Sequence, residues 1–153
     1  MMKQTYIALV ENSPGVLNRV VNNFRRRSIN VESLSVAPCE KKGVSRITLV
    51  ANNINDERKN LFVHVLNNLV NVIEANVVSE NSHTIREIMI VKIDLKDEDK
   101  IDGILNENIR KLKSKNSKIL LEIIGSSKNL DDFLKENSDL TILEIVRSGK
   151  VAI

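Results

Sequence analysis

The sequence predicts an α+β protein built as two successive β-α-β-β-α-β units, and three observations carry that expectation. Segments of period two and of period 3.6 follow one another in that order through the first eighty residues. A similar succession returns after residue 85, and the polar stretch Ser79–Thr84 separates the two. Units are therefore expected at 1–79 and 80–153, which suits a chain of 153 residues, long enough for one domain or two small ones.

The first strand is expected over Thr5–Val10, a run of β-favouring residues. Val16, Leu17, Val20, Val21 and Phe24 then recur at helical spacing, predicting a helix as far as Arg27 with Ser13 as its N-cap and Pro14 at its first position. Arg19, Asn22, Asn23 and the run Arg25–Arg27 occupy its polar side, the cations lying where the helix dipole favours them. From Asn30 to Ala37 the period is two, and the charged turn Glu40–Gly43 leads to a second strand at Ser45–Ala51, a hairpin pattern. Asn52–Asp56 reads as a polar loop. A helix over Glu57–Asn68 carries Leu61, Phe62, Val65, Leu66 and Leu69, and a strand over Val70–Val78 closes the unit. This is the split β-α-β, or ferredoxin-like, plan, with both helices on one sheet face and the other face left open to a partner.

In the second half, strands are expected at Ile88–Ile93, Ile119–Ile124 and Leu140–Val146, with helices over Asp97–Asn108 and Leu130–Lys135. Ile109–Lys113 is charged and alternates poorly, so it reads either as a short strand or as a continuation of the preceding helix.

Composition narrows the function. A formal charge of +3 and 3% aromatic residues argue against a protein that reads nucleic acid, because RNA-binding ferredoxin-like modules present stacking aromatics on their sheet. The basic run Lys111–Lys118 could meet phosphates but lacks that aromatic company. No apolar run approaches the roughly 20 residues that span a bilayer, and the chain opens into a strand pattern, so a cytoplasmic location is expected. One cysteine, Cys39, and two histidines, His64 and His83, leave neither an internal disulfide nor a zinc cluster to expect. Asp97, Glu98 and Asp99 sit at a helix start, where acidic residues are structurally favoured, and no catalytic motif is present. The most suggestive stretch is Glu11–Leu17, where a strand turns into a helix and Gly15 lacks a side chain just where free N–H groups point outward, a place that can receive a carboxylate or phosphate.

Asn12–Leu17, Ser28–Pro38 and Ser45–Val50, followed by Arg86–Ile93 and Glu144–Gly149, together resemble the regulatory (small) subunit of acetolactate synthase, also called acetohydroxyacid synthase. The resemblance covers nearly the whole chain; its opening motif alone indicates an ACT domain, a widespread amino-acid-sensing module. It implies an N-terminal ACT domain over 1–79 and a C-terminal ferredoxin-like domain over 80–153. It also implies a homodimer formed through the ACT domains, with a branched-chain amino acid, typically valine, bound between protomers. Asn12, Ser13, Pro14, Gly15, Val16 and Leu17 would form the loop that receives the effector, and Asn30 and Val31 of the adjoining protomer would close the site. The implied role is non-catalytic: this chain would carry no cofactor, raise the activity of a large catalytic subunit holding thiamine diphosphate, magnesium and FAD, and make it sensitive to valine. The exposed helix end Arg25–Asn30 is the expected meeting surface for that subunit. A stand-alone ACT-type regulator of another target is the alternative, although no helix-turn-helix accompanies the pattern.

Overall fold

Strand β1 (Gln4–Glu11) lies inside a four-stranded antiparallel sheet of order β2-β3-β1-β4, flanked by β3 (Val44–Ala51) and β4 (Val72–Val78), with β2 (Val31–Pro38) at the edge. Helices α1 (Val16–Arg25) and α2 (Asp56–Asn67) complete this first unit. The structure, a computed structural model, describes residues 3–52, 54–79, 81–115 and 117–153. Asn53 of the expected Asn52–Asp56 loop, Glu80 of the expected linker and Asn116 of the basic run lie outside the described residues. The second unit holds β5 (Ile85–Asp94), α3 (Glu98–Ile101), β6 (Ile109–Lys115), β7 (Lys118–Gly125), α4 (Ser127–Glu136) and β8 (Ile142–Arg147), in the order β6-β7-β5-β8. A two-residue strand, β9 (Val151–Ala152), follows. Both orders are the ferredoxin-like arrangement, so the α+β, two-unit expectation holds. Contacts group the residues as far as Thr84 with Lys150–Ile153, and Ile85–Gly149 as the other unit.

In the first unit, alternation along β1 and β3 sends Tyr6, Ala8, Val10, Ile47, Leu49 and Ala51 towards the helices, where they meet Val16, Val20, Phe24, Phe62 and Leu66. Three aromatic rings form its centre. Phe24 stacks on Phe62 at 4.9 Å between centroids, and Tyr6 meets Phe24 edge-on at 5.9 Å. Burial pushes the Tyr6 phenol up to about 12, and its hydroxyl donates a long 3.5 Å bond to the Lys59 carbonyl. The second core gathers Met89, Val91, Ile93, Ile119, Leu121 and Ile123 from the sheet with Ile101, Leu130 and Phe133 from the helix side.

One expectation is corrected here, and one choice left open by the sequence is settled. The helix expected over Asp97–Asn108 is a 3-10 turn, Leu95–Asp97, followed by the single turn α3. Gly103 is a weak helix former, and Asn106 turns its side chain back to accept the Asn108 N–H at 2.8 Å, so local bonds replace helical ones. The shortened helix leaves a cleft of about 850 Å³ beside α4, lined by Ile104, Asn106, Asn129 and Phe133 among others. Of the two readings of Ile109–Lys113, the strand holds: β6 pairs with β7 and is bulged between Lys111 and Lys113, which breaks its period of two.

Asp97 is bonded into this framework. The residue is 5% exposed; Oδ2 accepts the Thr141 backbone N–H at 2.8 Å and Oδ1 faces Lys100 at 3.4 Å. The Thr141 bond, aided by Lys100, holds its carboxyl below the ordinary value of 3.8. The folded state thus favours the carboxylate. Its contribution is present above about pH 3.8 and is lost as the pH falls through the lower folded-state value. Urea unfolding of Asp97→Asn between pH 6 and 2.5 is expected to show lower stability at neutral pH and a shallower loss on acidification than the parent; parallel curves would contradict the assignment.

Candidate functional site

Helix α1 begins differently from the other two helices of ten or more residues. Asn55 caps α2 by accepting the Arg58 N–H, and Asp56 and Glu57 lie in that helix's first turn. Ser126 caps α4 in a reciprocal capping box with Asn129. By contrast α1 has Gly15 at its cap position, no side-chain cap and no acidic residue in its first turn. Ser13 is therefore not the N-cap, and Pro14 precedes the helix. Ser13–Val16 is instead a tight turn closed by a 3.4 Å bond from the Val16 N–H to the Ser13 carbonyl, with Pro14 second and Gly15 third at φ 84° and ψ −8°. Those are type II turn positions, where Pro sets the first central angle and only a residue tolerant of positive φ suits the second. Nothing lies within 4 Å of where a Gly15 Cβ would sit, so the conformation, not crowding, demands glycine.

The consequence is an open helix start. The first acceptor–donor pair of the helix proper is the Arg19 N–H on the Gly15 carbonyl at 3.1 Å. Among the described residues, the N–H groups of Gly15, Leu17 and Asn18 and the side chains of Asn12 and Ser13 have no partner, and the positive end of the helix dipole is not offset by an acid in the first turn. Val16 is buried, its side chain in the core, whereas Leu17 is 37% exposed and faces outward.

The turn rests on a framework beyond the residues expected from sequence. The Asn12 N–H donates to the Gly43 carbonyl at 2.8 Å, pinning the turn to the hairpin. Asn71 receives Arg19 on its side-chain oxygen and donates to Glu11 Oε2 at 2.5 Å, while the Glu11 N–H donates to the Asn71 carbonyl. Arg19 and Asn71 carried no sequence signal for this role, because they lie 52 residues apart and each reads as ordinary polar surface.

Asn30 and Val31 lie elsewhere. Glu11 pairs with Val44 at one end of β3, whereas Val31 pairs with Ala51 and the Asn30 carbonyl accepts the Asn52 N–H at the other. At ~3.3 Å per residue the two groups are roughly 23 Å apart along the sheet. One chain does not bring Asn12–Leu17 and Asn30–Val31 together.

The fold and these ends define a class: tandem ferredoxin-like domains of the ACT type. Residues 7–74 match the profile described as AHAS small subunit-like ACT domain, and residues 86–153 that described as small subunit of acetolactate synthase. The acetolactate synthase small subunit of Buchnera aphidicola is 35% identical over 160 residues, covering 99% of this chain and 98% of its own. The isozyme 3 small subunit of Escherichia coli is 32% identical over 99% of this chain and 95% of its own, and the probable small subunit of Archaeoglobus fulgidus is 32% identical over 99% and 96%. The crystal structure of the small subunit from Thermotoga maritima shares the fold, with a TM-score of 0.87 over 100% of this chain and 97% of that one, at 23% identity. The chain belongs to the acetolactate synthase small-subunit family.

Gly15→Ala is expected to cost about 1–2 kcal/mol, the strain of a left-handed L residue, while leaving the fold intact. Urea unfolding with circular dichroism checks this. A cost near zero would mean that the turn is not held in the positive-φ form.

Proposed function

We propose that this chain is the regulatory subunit of acetolactate synthase. It binds the large catalytic subunit, raises its activity and confers feedback inhibition by valine in cytoplasmic branched-chain amino acid biosynthesis. The observation that carries the effector role is the uncapped start of α1. Its free N–H groups suit the carboxylate of an amino acid, and Gly15 lets that carboxylate approach the backbone. The outward Leu17 offers apolar contact for an aliphatic side chain.

Sheet topology supports a site shared by two copies. β2 is an edge strand, and antiparallel pairing of β2 with β2 of a second copy about a two-fold axis would set the Val31 end of one strand beside the Pro38 end of the other. Pro38 pairs with Ser45, at the end of the sheet that carries Asn12–Leu17. In this arrangement Asn30 and Val31 of one protomer approach the partner's turn, so effector binding is coupled to how the ACT domains pair. Valine then acts on the enzyme by favouring one pairing over another. The C-terminal domain, proposed to begin near residue 80, completes the subunit.

The test is acetolactate formation by the purified large subunit with and without this chain, across a valine titration. Activity is expected to rise when the chain is added and to fall again with valine. Gly15→Asp, which puts a carboxylate where the effector's must sit, is expected to lose the valine response. Unchanged activity on adding the chain would refute the regulatory reading, and a retained valine response in Gly15→Asp would remove the turn from it.

A further inference from the structure

The other end of α1 also departs from the ordinary. The Ile29 N–H reaches the Phe24 carbonyl at 3.1 Å and the Ser28 N–H reaches that of Arg25 at 3.0 Å, a Schellman-type closure that turns the chain back sharply. Ser28 occupies the left-handed position at φ 53°, where glycine is usual and a serine is strained. The turn places Ile29 in the core and Arg27 at the surface, its guanidinium 5.8 Å from the centre of the Phe62 ring and its Nη1 donating to the Asn23 carbonyl at 3.1 Å. Between this turn and α2 lies a recess of about 310 Å³ lined by Arg27, Ile29, Arg58, Leu61 and Phe62.

Its chemistry is one-sided. Among the described residues neither Arg27 nor Arg58 has a carboxylate partner: Glu32, the acid nearest Arg27 in sequence, pairs with Lys3, and Asp56 and Glu57, which precede Arg58 in the first turn of α2, pair with neither; Arg25 and Arg26, next to Arg27 in sequence, are exposed. Leu61 is 52% exposed at the rim, next to the buried Phe62. Two guanidinium groups without carboxylate partners around an apolar depression match the anchor of a protein interface, where arginine and buried apolar side chains concentrate binding energy.

We propose that this recess seats an acidic segment of the large subunit, one apolar side chain entering against Ile29, Leu61 and Phe62 while carboxylates on either side take Arg27 and Arg58. This rests on the regulatory-subunit reading above and narrows the expected Arg25–Asn30 surface to a built site that adds Arg58 and Leu61 from α2.

The experiment titrates the large subunit with the purified full-length chain and with Arg58→Glu, Arg27→Glu/Arg58→Glu and Leu61→Ser, at low and high salt. Valine binding and thermal stability of each chain alone are measured in parallel. The single changes are expected to weaken association about 10-fold and the double reversal about 100-fold or more. Parent association is expected to weaken with salt, and valine binding by the isolated variants to stay within about two-fold of the parent. Association of the double reversal within two-fold of the parent, in a chain that still melts cooperatively, overturns the proposal. So does a change in the oligomeric state of the isolated variant, which would assign the recess to a second copy. Failure of the parent chain to associate at all refutes instead the regulatory reading on which the proposal rests.

Discussion

The stack of Tyr6, Phe24 and Phe62 is the contact on which the first domain depends. One ring comes from the central strand and one from each helix, so the cluster locks α1 and α2 to the sheet and to each other. Because Phe24 lies in the last turns of α1, the cluster also fixes where that helix ends, and the Ile29 N–H closes back onto the Phe24 carbonyl. Phe62 in turn floors the recess under Arg27. The cluster thus anchors the C-terminal end of α1, while the Asn12–Gly43 bond and the Arg19–Asn71–Glu11 network anchor its start, and such anchoring lowers the entropic cost of recognition at either end.

The two ends break local rules in different ways. At the N-terminus a glycine in a type II turn replaces a capping side chain, leaving donors and dipole free. At the C-terminus a serine takes a position that glycine usually fills, and the chain turns to expose Arg27 over an apolar floor. Sheet register adds the third constraint. Asn30 and Val31 start β2 at the end of the sheet remote from the Gly15 turn, so a site built from both requires two copies. A ligand that bridges two copies is sensitive to their arrangement.

The order of elements was legible because apolar periodicity survives wherever strands and helices bury one face: Tyr6, Ala8 and Val10, or Val16, Val20 and Phe24, declare their periods openly. Boundaries set by single residues were harder. Asn12–Leu17 reads as a strand-to-helix junction, yet Gly15 rather than Ser13 stands at the N-cap position, since a preferred cap residue and a Pro-Gly turn compete over the same four positions. The helix expected over Asp97–Asn108 failed for a similar reason: Ile101, Ile104 and Leu105 keep a helical spacing, but Gly103 and the Asn106 side chain favour a turn. Strand β6 was obscured by its bulge and by charges such as Lys111, which bonds Glu98 at 2.6 Å. Partners far apart in sequence, Arg19 with Asn71 and Arg27 with Arg58 and Leu61, leave no local pattern at all.

The central claim is that the effector site joins the Gly15 turn of one protomer to Asn30 and Val31 of its partner, and complementation between damaged chains tests it most directly. Gly15→Asp and Asn30→Ala chains would be titrated with valine separately and then after unfolding and refolding together. A mixed dimer carries both lesions in one site and leaves the other intact, so random pairing restores about one site in four. The account predicts that each variant alone loses valine binding and that the mixture regains about that fraction. No recovery in the mixture, with each variant still dimeric, would contradict it, as would full valine binding by either variant alone.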